Sequence, residues 1–148
     1  MHTIIRLIYV FVLALIFALW EIQIEGKNGW AANLPTWRKT KGVINRMTGG
    51  RPLTGYHFLM NIFLTSVFHL IFLFESWDFE KELLILILLM IFFLVEDFLW
   101  FVLNPAYGLK NFKKGRIWWH PQWIGPLPKS YYLGIIFILL LVFVKMVL

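Results

Sequence analysis

Cysteine is absent from the 148 residues, which excludes disulfides, thiolate metal sites, iron–sulfur clusters and a cysteine nucleophile. The redox compartment is left open by that absence. Acidic residues are also scarce, with eight Asp and Glu against 14 Lys and Arg for a net charge of +6. Charged residues of both signs make up only 15% of the chain while hydrophobic residues make up 60%, too little polar surface to cover a soluble globule. Lipid is therefore the expected solvent for most of the chain. The basic excess is read as a property of a membrane surface, and no nucleic-acid partner is expected.

Four apolar runs stand out: Ile4 to Trp20, Tyr56 to Phe74, Leu83 to Leu103 and Tyr131 to Leu148. Each comes near the ~20 residues that a bilayer-spanning helix needs. They predict an all-α, polytopic membrane protein, a four-transmembrane-helix bundle in a single transmembrane domain over residues 1–148, with helices at about 4–23, 56–74, 83–103 and 131–148. In the first run Trp20 and Glu21 stand where a signal peptide needs small residues, so the run is read as a retained helix.

Orientation follows from the basic residues, which accumulate in cytoplasmic loops. Lys27, Arg38, Lys39, Lys41, Arg46 and Arg51 fall in the first connection, and Lys110, Lys113, Lys114, Arg116 and Lys129 in the third. The other side holds Arg6, Lys81 and Lys145, while Glu75, Asp78, Glu80 and Glu82 crowd the short second connection. N-out/C-out topology is the expectation, with two structured cytoplasmic loops at about 24–55 and 104–130. The location implied is multi-pass, in a cytoplasmic or inner membrane, with anionic inner-leaflet lipids as partners and a homo-oligomer or larger membrane complex as a further possibility.

Both loops are rich in Trp and Pro. Trp30, Trp37, Trp118, Trp119 and Trp123, with Leu34-Pro35, Asn104-Pro105, His120-Pro121 and Pro126-Leu127-Pro128, fit an ordered cap over a cavity, although long loops simply hold more Trp. Trp37, Ile44 and Met47 recur at helical spacing among Arg38, Lys39, Lys41 and Arg46, as in a helix lying in the interface, with Gly42 against that reading. Trp30, Trp37, Arg38 and Trp119 are the candidate cofactor-binding residues of these loops.

Glu96 and Asp97 are the strongest chemical signal, two adjacent carboxylates inside an apolar span, where an ionised group costs several kcal/mol unless it is paired or faces a polar cavity. Neighbours on a helix diverge by about 100°, so the two are expected to face different partners. Glu21 and Glu25 are four apart at the loop end of the first helix, and His57 and Asn61 are four apart at the loop start of the second. With His120, these groups align at one depth.

A carboxylate and imidazole set suits Zn, Mn or Fe, and Glu21, Glu25, His57, Asp97 and His120 are the candidate ligands of a divalent metal. Glu96, Asp97, His57 and Asn61 are the candidate catalytic groups. Haem ranks low, since only His57 with His120 offers two axial ligands at equal depth. His69, about 18 Å along the helix from His57, is expected to stand apart, with Glu75 as a partner. His2 is expected to be terminal.

The stretch Leu94-Val95-Glu96-Asp97-Phe98-Leu99-Trp100-Phe101 resembles the acidic motif of membrane carotenoid cyclases of the small-subunit type, with Leu94 where that motif has Pro. It implies acid catalysis on a polyene, and membership of that family is not taken from eight residues. The function expected is a cytoplasm-facing carboxylate and His site in a metal-dependent enzyme acting on a lipid, isoprenoid or lipid-linked substrate. Alternatives are an accessory subunit of a larger membrane complex, metal-free acid catalysis on an isoprenoid, or proton or ion transport.

Overall fold

The computed structural model describes residues 2–47 and 50–148, and the side chains of these except at 2, 44 and 47. The chain runs α1 (His2–Glu25), β1 (Arg38–Lys39), α2 (Val43–Met47), β2 (Leu53–Thr54), α3 (Gly55–Phe68) with a 3-10 turn at His69–Leu73, α4 (Phe79–Leu103), a 3-10 turn at Leu109–Asn111, β3 (Trp123–Ile124), β4 (Leu127–Pro128) and α5 (Lys129–Val147). Among the described residues four helices are long and apolar enough to cross a membrane, the pattern of a multi-pass membrane protein.

Helix α4 is the centre of the bundle. It packs most extensively on α1, then on α5, and only lightly on α3. Along α1 the buried residues Val10, Ala14, Ala18 and Ile22 repeat every four positions, so they form one stripe. Ala14 and Ala18 are completely buried, and their small side chains let the α4 backbone approach closely, as small residues do between helices in lipid. The facing stripe of α4 is Phe92, Glu96 and Trp100, also four apart and buried.

That stripe meets two apolar layers. Phe92 packs with Val10, Ala14 and Leu64, while Trp100 packs with Ala18, Ile22, Phe101, Ile117 and Trp119. Glu96 sits in the sequence gap between Phe92 and Trp100, one turn from each. The polar interior of the protein lies in this gap.

Capping fixes where the helices stop. Asp78 accepts from Lys81 N at 3.0 Å and opens α4, while Thr54 accepts from His57 N at 3.2 Å and opens α3. Asn104, which ends α4, donates from its side chain to Gly26 O at 3.0 Å and accepts from Ala106 N at 3.0 Å. One amide thereby ties the loop ends of α1 and α4 together.

The first connection departs from the expected interfacial helix. Arg38 and Lys39 are extended and pair antiparallel with Thr54 and Leu53. Gly42 at φ +129° breaks the chain direction before the five-residue α2. Asn45 holds the excursion shut by donating to Lys39 O at 2.8 Å and Arg51 O at 2.9 Å. The expected placement of Ile44 and Met47 on one face, and that of His2 at the terminus, lie outside the described side chains.

At the opposite end of the bundle His69 does stand apart, but its partner is Glu82 at 3.0 Å, not Glu75. Glu75 is taken by Lys81 at 2.7 Å and Glu80 by Lys145 at 3.1 Å. The reason is helical: Lys81 at the start of α4 is within reach of the loop carboxylate, and Glu82 one residue later turns towards α3.

Trp119 folds down from the third connection onto Gly29, where an added Cβ would come within 2.3 Å of the indole; Gly29 also holds φ +59°. Replacing Gly29 by Ala is expected to cost about 2 kcal/mol more than the same change at Gly26, where φ is +62° but a Cβ meets nothing within 4 Å. In a thermal melt of the detergent-solubilised protein this separates the two variants by roughly 5 °C. Equal midpoints would show that Trp119 does not seat on Gly29.

Candidate functional site

Below the cap a cavity of about 450 Å³ opens between the helices, lined on its polar side by Glu21 and Glu25 of α1, His57 and Asn61 of α3, Glu96 and Asp97 of α4, and Ser130 and Tyr131 of α5. Six segments thus deliver polar groups to one space, since Arg51 of the first connection and His120 of the third line it too. The remaining wall is apolar, formed by Met60, Met90, Phe93, Leu94 and Leu133.

Two clusters occupy the polar side. In the first, His57 Nε2 lies 3.3 Å from Glu25 Oε1 and 3.9 Å from Glu21 Oε1. One potential ligand atom from each of the three residues falls within 4.8 Å of the others, and all three residues are buried. The spacing follows from α1, which puts Glu21 and Glu25 on one face a turn apart, and from the Thr54 cap, which starts α3 beside them.

The orientation of each member is held from behind. His57 Nδ1 is 2.7 Å from Thr54 Oγ1, and its ring stacks on Trp30 with centroids 3.8 Å apart. Thr54 can accept Nδ1–H, which leaves the Nε2 lone pair facing the two carboxylates, the tautomer that metal ligation requires. Glu25 accepts from Trp30 N at 3.0 Å and from Ala31 N, and those two residues have φ of 48° and 51°. A left-handed turn of non-glycine residues is strained, and the carboxylate hydrogen bonds hold it.

The second cluster lies on the α5 side. His120 Nε2 is 3.3 Å from Asp97 Oδ2, Tyr131 donates its hydroxyl to the same oxygen, and Ser130 Oγ is 3.4 Å from His120 Nδ1. Glu96 turns the other way, where its carboxyl faces that of Glu21. The divergence expected for adjacent helical residues is what lets α4 serve both clusters.

Several buried polar atoms here have no hydrogen-bond partner among the described residues: Glu21 Oε1, Glu96 Oε1, the Trp100 indole N–H and His120 Nε2. All four belong to residues that line the cavity. Buried polar atoms are almost always bonded, so four orphans round one cavity leave hydrogen-bonding capacity there for water or a ligand.

Sequence-predicted residues divide accordingly. Glu21, Glu25, His57, Asn61, Glu96, Asp97, His120, Trp30 and Trp119 line the cavity, whereas Trp37 and Arg38 do not. Trp37 packs over Gly55 and Phe58. Arg38 donates to the carbonyls of Ala31, Ala32 and Leu34, so its charge closes a loop instead of reaching a ligand. Asp97 and His120 pair with each other and stand outside the Glu21, Glu25 and His57 ligand set. Asn61 is exposed at the rim and donates to His57 O at 2.6 Å.

Arg51, Lys129, Ser130 and Tyr131 also line the cavity and were not singled out by the sequence. The Arg51 guanidinium lies 4.0 Å over the Trp30 ring; burial pulls its pKa below the usual value and the charge of Asp97 opposes that fall. Nothing but its place in a basic loop distinguishes Arg51 in sequence. Tyr131 had a weak signal, as an aromatic hydroxyl opening an apolar span.

No family model, no curated protein and no solved structure matches this chain.

Glu25→Ala removes the acceptor of two backbone N–H groups and is expected to cost about 2–3 kcal/mol, with faster amide exchange at Trp30 and Ala31. In chelator-treated protein Glu21→Gln keeps its shape and relieves the crowding of carboxylates, so the thermal midpoint is expected not to fall. A reversed order of the two variants would contradict the roles assigned to them.

Proposed function

We propose that the protein is a membrane-embedded, metal-dependent enzyme acting on a lipid, isoprenoid or lipid-linked substrate. The observation that carries this reading is the buried Glu21, Glu25 and His57 set on a cavity whose far wall is apolar. An amphipathic molecule fits such a space, with its head at the charged groups and its chain along Met60, Met90, Phe93, Leu94 and Leu133. Two carboxylates and one imidazole with no thiolate favour Zn, Mn or Fe. Bound there, a divalent ion supplies Lewis-acid polarisation or an activated water. The side chains of Arg51 and Lys129 give the head-group region positive charge.

The division of basic residues supports N-out/C-out topology, with the cavity opening towards the cytoplasmic leaflet. Anionic lipids of that leaflet are attracted by Lys39, Lys41, Arg46 and the third-connection lysines at about 1 kcal/mol each.

Elemental analysis of the purified protein tests the reading. About one equivalent of a divalent transition metal is expected in the wild type, with at least a ten-fold loss of affinity in His57→Ala and Glu21→Gln and none in Trp37→Ala or Asp97→Asn. Wild-type protein that takes up no metal and co-purifies with other membrane chains would favour the accessory-subunit reading instead.

A further inference from the structure

We propose that Ser130, His120 and Asp97 form a nucleophile and base relay for acyl transfer from a lipid ester. The relay shares the cavity with the proposed metal site but does not depend on it, and it sits on the opposite, α5 side.

Ser130 Oγ is 3.4 Å from His120 Nδ1, and His120 Nε2 is 3.3 Å from Asp97 Oδ2. An imidazole between a hydroxyl and a carboxylate is the arrangement that activates serine. Either ring nitrogen serves as the base, because each neutral tautomer leaves one lone pair and the carboxylate fixes which. The negative charge of Asp97, 3.3 Å from Nε2, favours the tautomer with the proton on Nε2, which leaves Nδ1 to the serine.

The parts are held unequally, as a relay requires. His120 is only 5% exposed, and its backbone carbonyl accepts from the Trp123 indole at 2.6 Å. Asp97 is fixed by the Tyr131 hydroxyl. Ser130 itself is exposed and lines the cavity. It is the second residue of α5, and the N-cap Pro128 makes no side-chain hydrogen bond to the first turn. Lys129 N is taken by Gln122 O at 2.9 Å, and the N–H groups that follow it in the first turn, beside the hydroxyl, are suited to an oxyanion.

An acyl chain has its own track. Leu133 and Gly134 lie one turn beyond Ser130 on the same face of α5, and with Met90, Phe93 and Leu94 they line the apolar wall of the cavity. This depth is that of a membrane span, so the ester carbonyl would meet Ser130 while its chain remains in lipid-like surroundings.

In the reaction Ser130 Oγ forms a bond to the ester carbonyl carbon and its proton passes to His120. Collapse breaks the ester C–O bond, the leaving alcohol takes that proton, and an acyl-Ser130 remains. Water attacks the acyl group with His120 again as base, which releases the carboxylic acid and restores Ser130–OH.

The test treats the detergent-purified full chain with a long-chain alkyl fluorophosphonate and locates any adduct by peptide mass spectrometry. One adduct on Ser130 is expected in wild type, none on that peptide in Ser130→Ala, and a roughly hundred-fold slower labelling in His120→Gln. Asp97→Asn should slow labelling and Asp97→Glu should restore part of it, which a general loss of folding would not do. Labelling that persists in Glu21→Gln and Glu25→Gln would support the relay whether or not those variants lose metal, so the metal reading stands or falls separately on the elemental analysis. No adduct on Ser130 in protein with an intact melting transition, or an unchanged rate in His120→Gln, would overturn the proposal.

Discussion

An ionised or hydrogen-bonding side chain inside an apolar span must find partners within the protein, because the bilayer core offers none. Glu96 on α4 imposes that requirement on this chain. It lies on the one stripe of α4 that faces α1, flanked by Phe92 and Trp100, which belong to the two apolar layers of the interface. The arrangement works because Ala14 and Ala18 bring α1 close while Glu21 and Glu25, further along α1, change the lining from apolar to polar. The position of α3 then follows from Thr54, whose hydroxyl caps the helix and also holds the His57 ring against those acids.

The loops are part of the same solution. Glu25 is the acceptor for a left-handed turn at Trp30 and Ala31, so a residue of the polar cluster also shapes its cover. Trp30 returns the constraint by stacking on His57. On the other side Trp119 seats on Gly29 and packs on Trp100 and Phe101, while the next residue, His120, reaches Asp97. Glu25 and Asp97 are therefore each met by both a helix and a loop. Polar networks of this kind are costly when half satisfied, which gives the remaining orphan atoms their significance.

Much of this was legible in the sequence because lipid imposes simple rules. Run length placed the four helices within a few residues of their observed bounds, and depth counted from the loop ends brought Glu21, Glu25, His57, Asn61, Glu96, Asp97 and His120 to one level. What periodicity could not supply was the partner of each group. The helical reading of residues 37–47 holds only over Val43–Met47, because the pairing of Arg38 with Thr54 and the hydrogen bonds of Asn45 are non-local, and the expected His69–Glu75 pair gave way to Glu82 and Lys81. Arg51 and Ser130 had no signal at all, since a lone Arg in a basic loop or a Ser at a helix start is unremarkable until the fold brings it to the cavity.

On the proposed reading the two sides of the cavity take one kind of occupant, charged or polar at the head and apolar along its length, with Glu21, Glu25 and His57 offering ligands to a cation beside it. X-ray absorption at the metal edge of protein loaded with one equivalent of Zn tests that assignment most directly. The account predicts a first shell of oxygen and nitrogen with outer-shell scattering from a single imidazole, lost in His57→Ala. A shell with two or more imidazoles, or one unchanged in that variant, would contradict it.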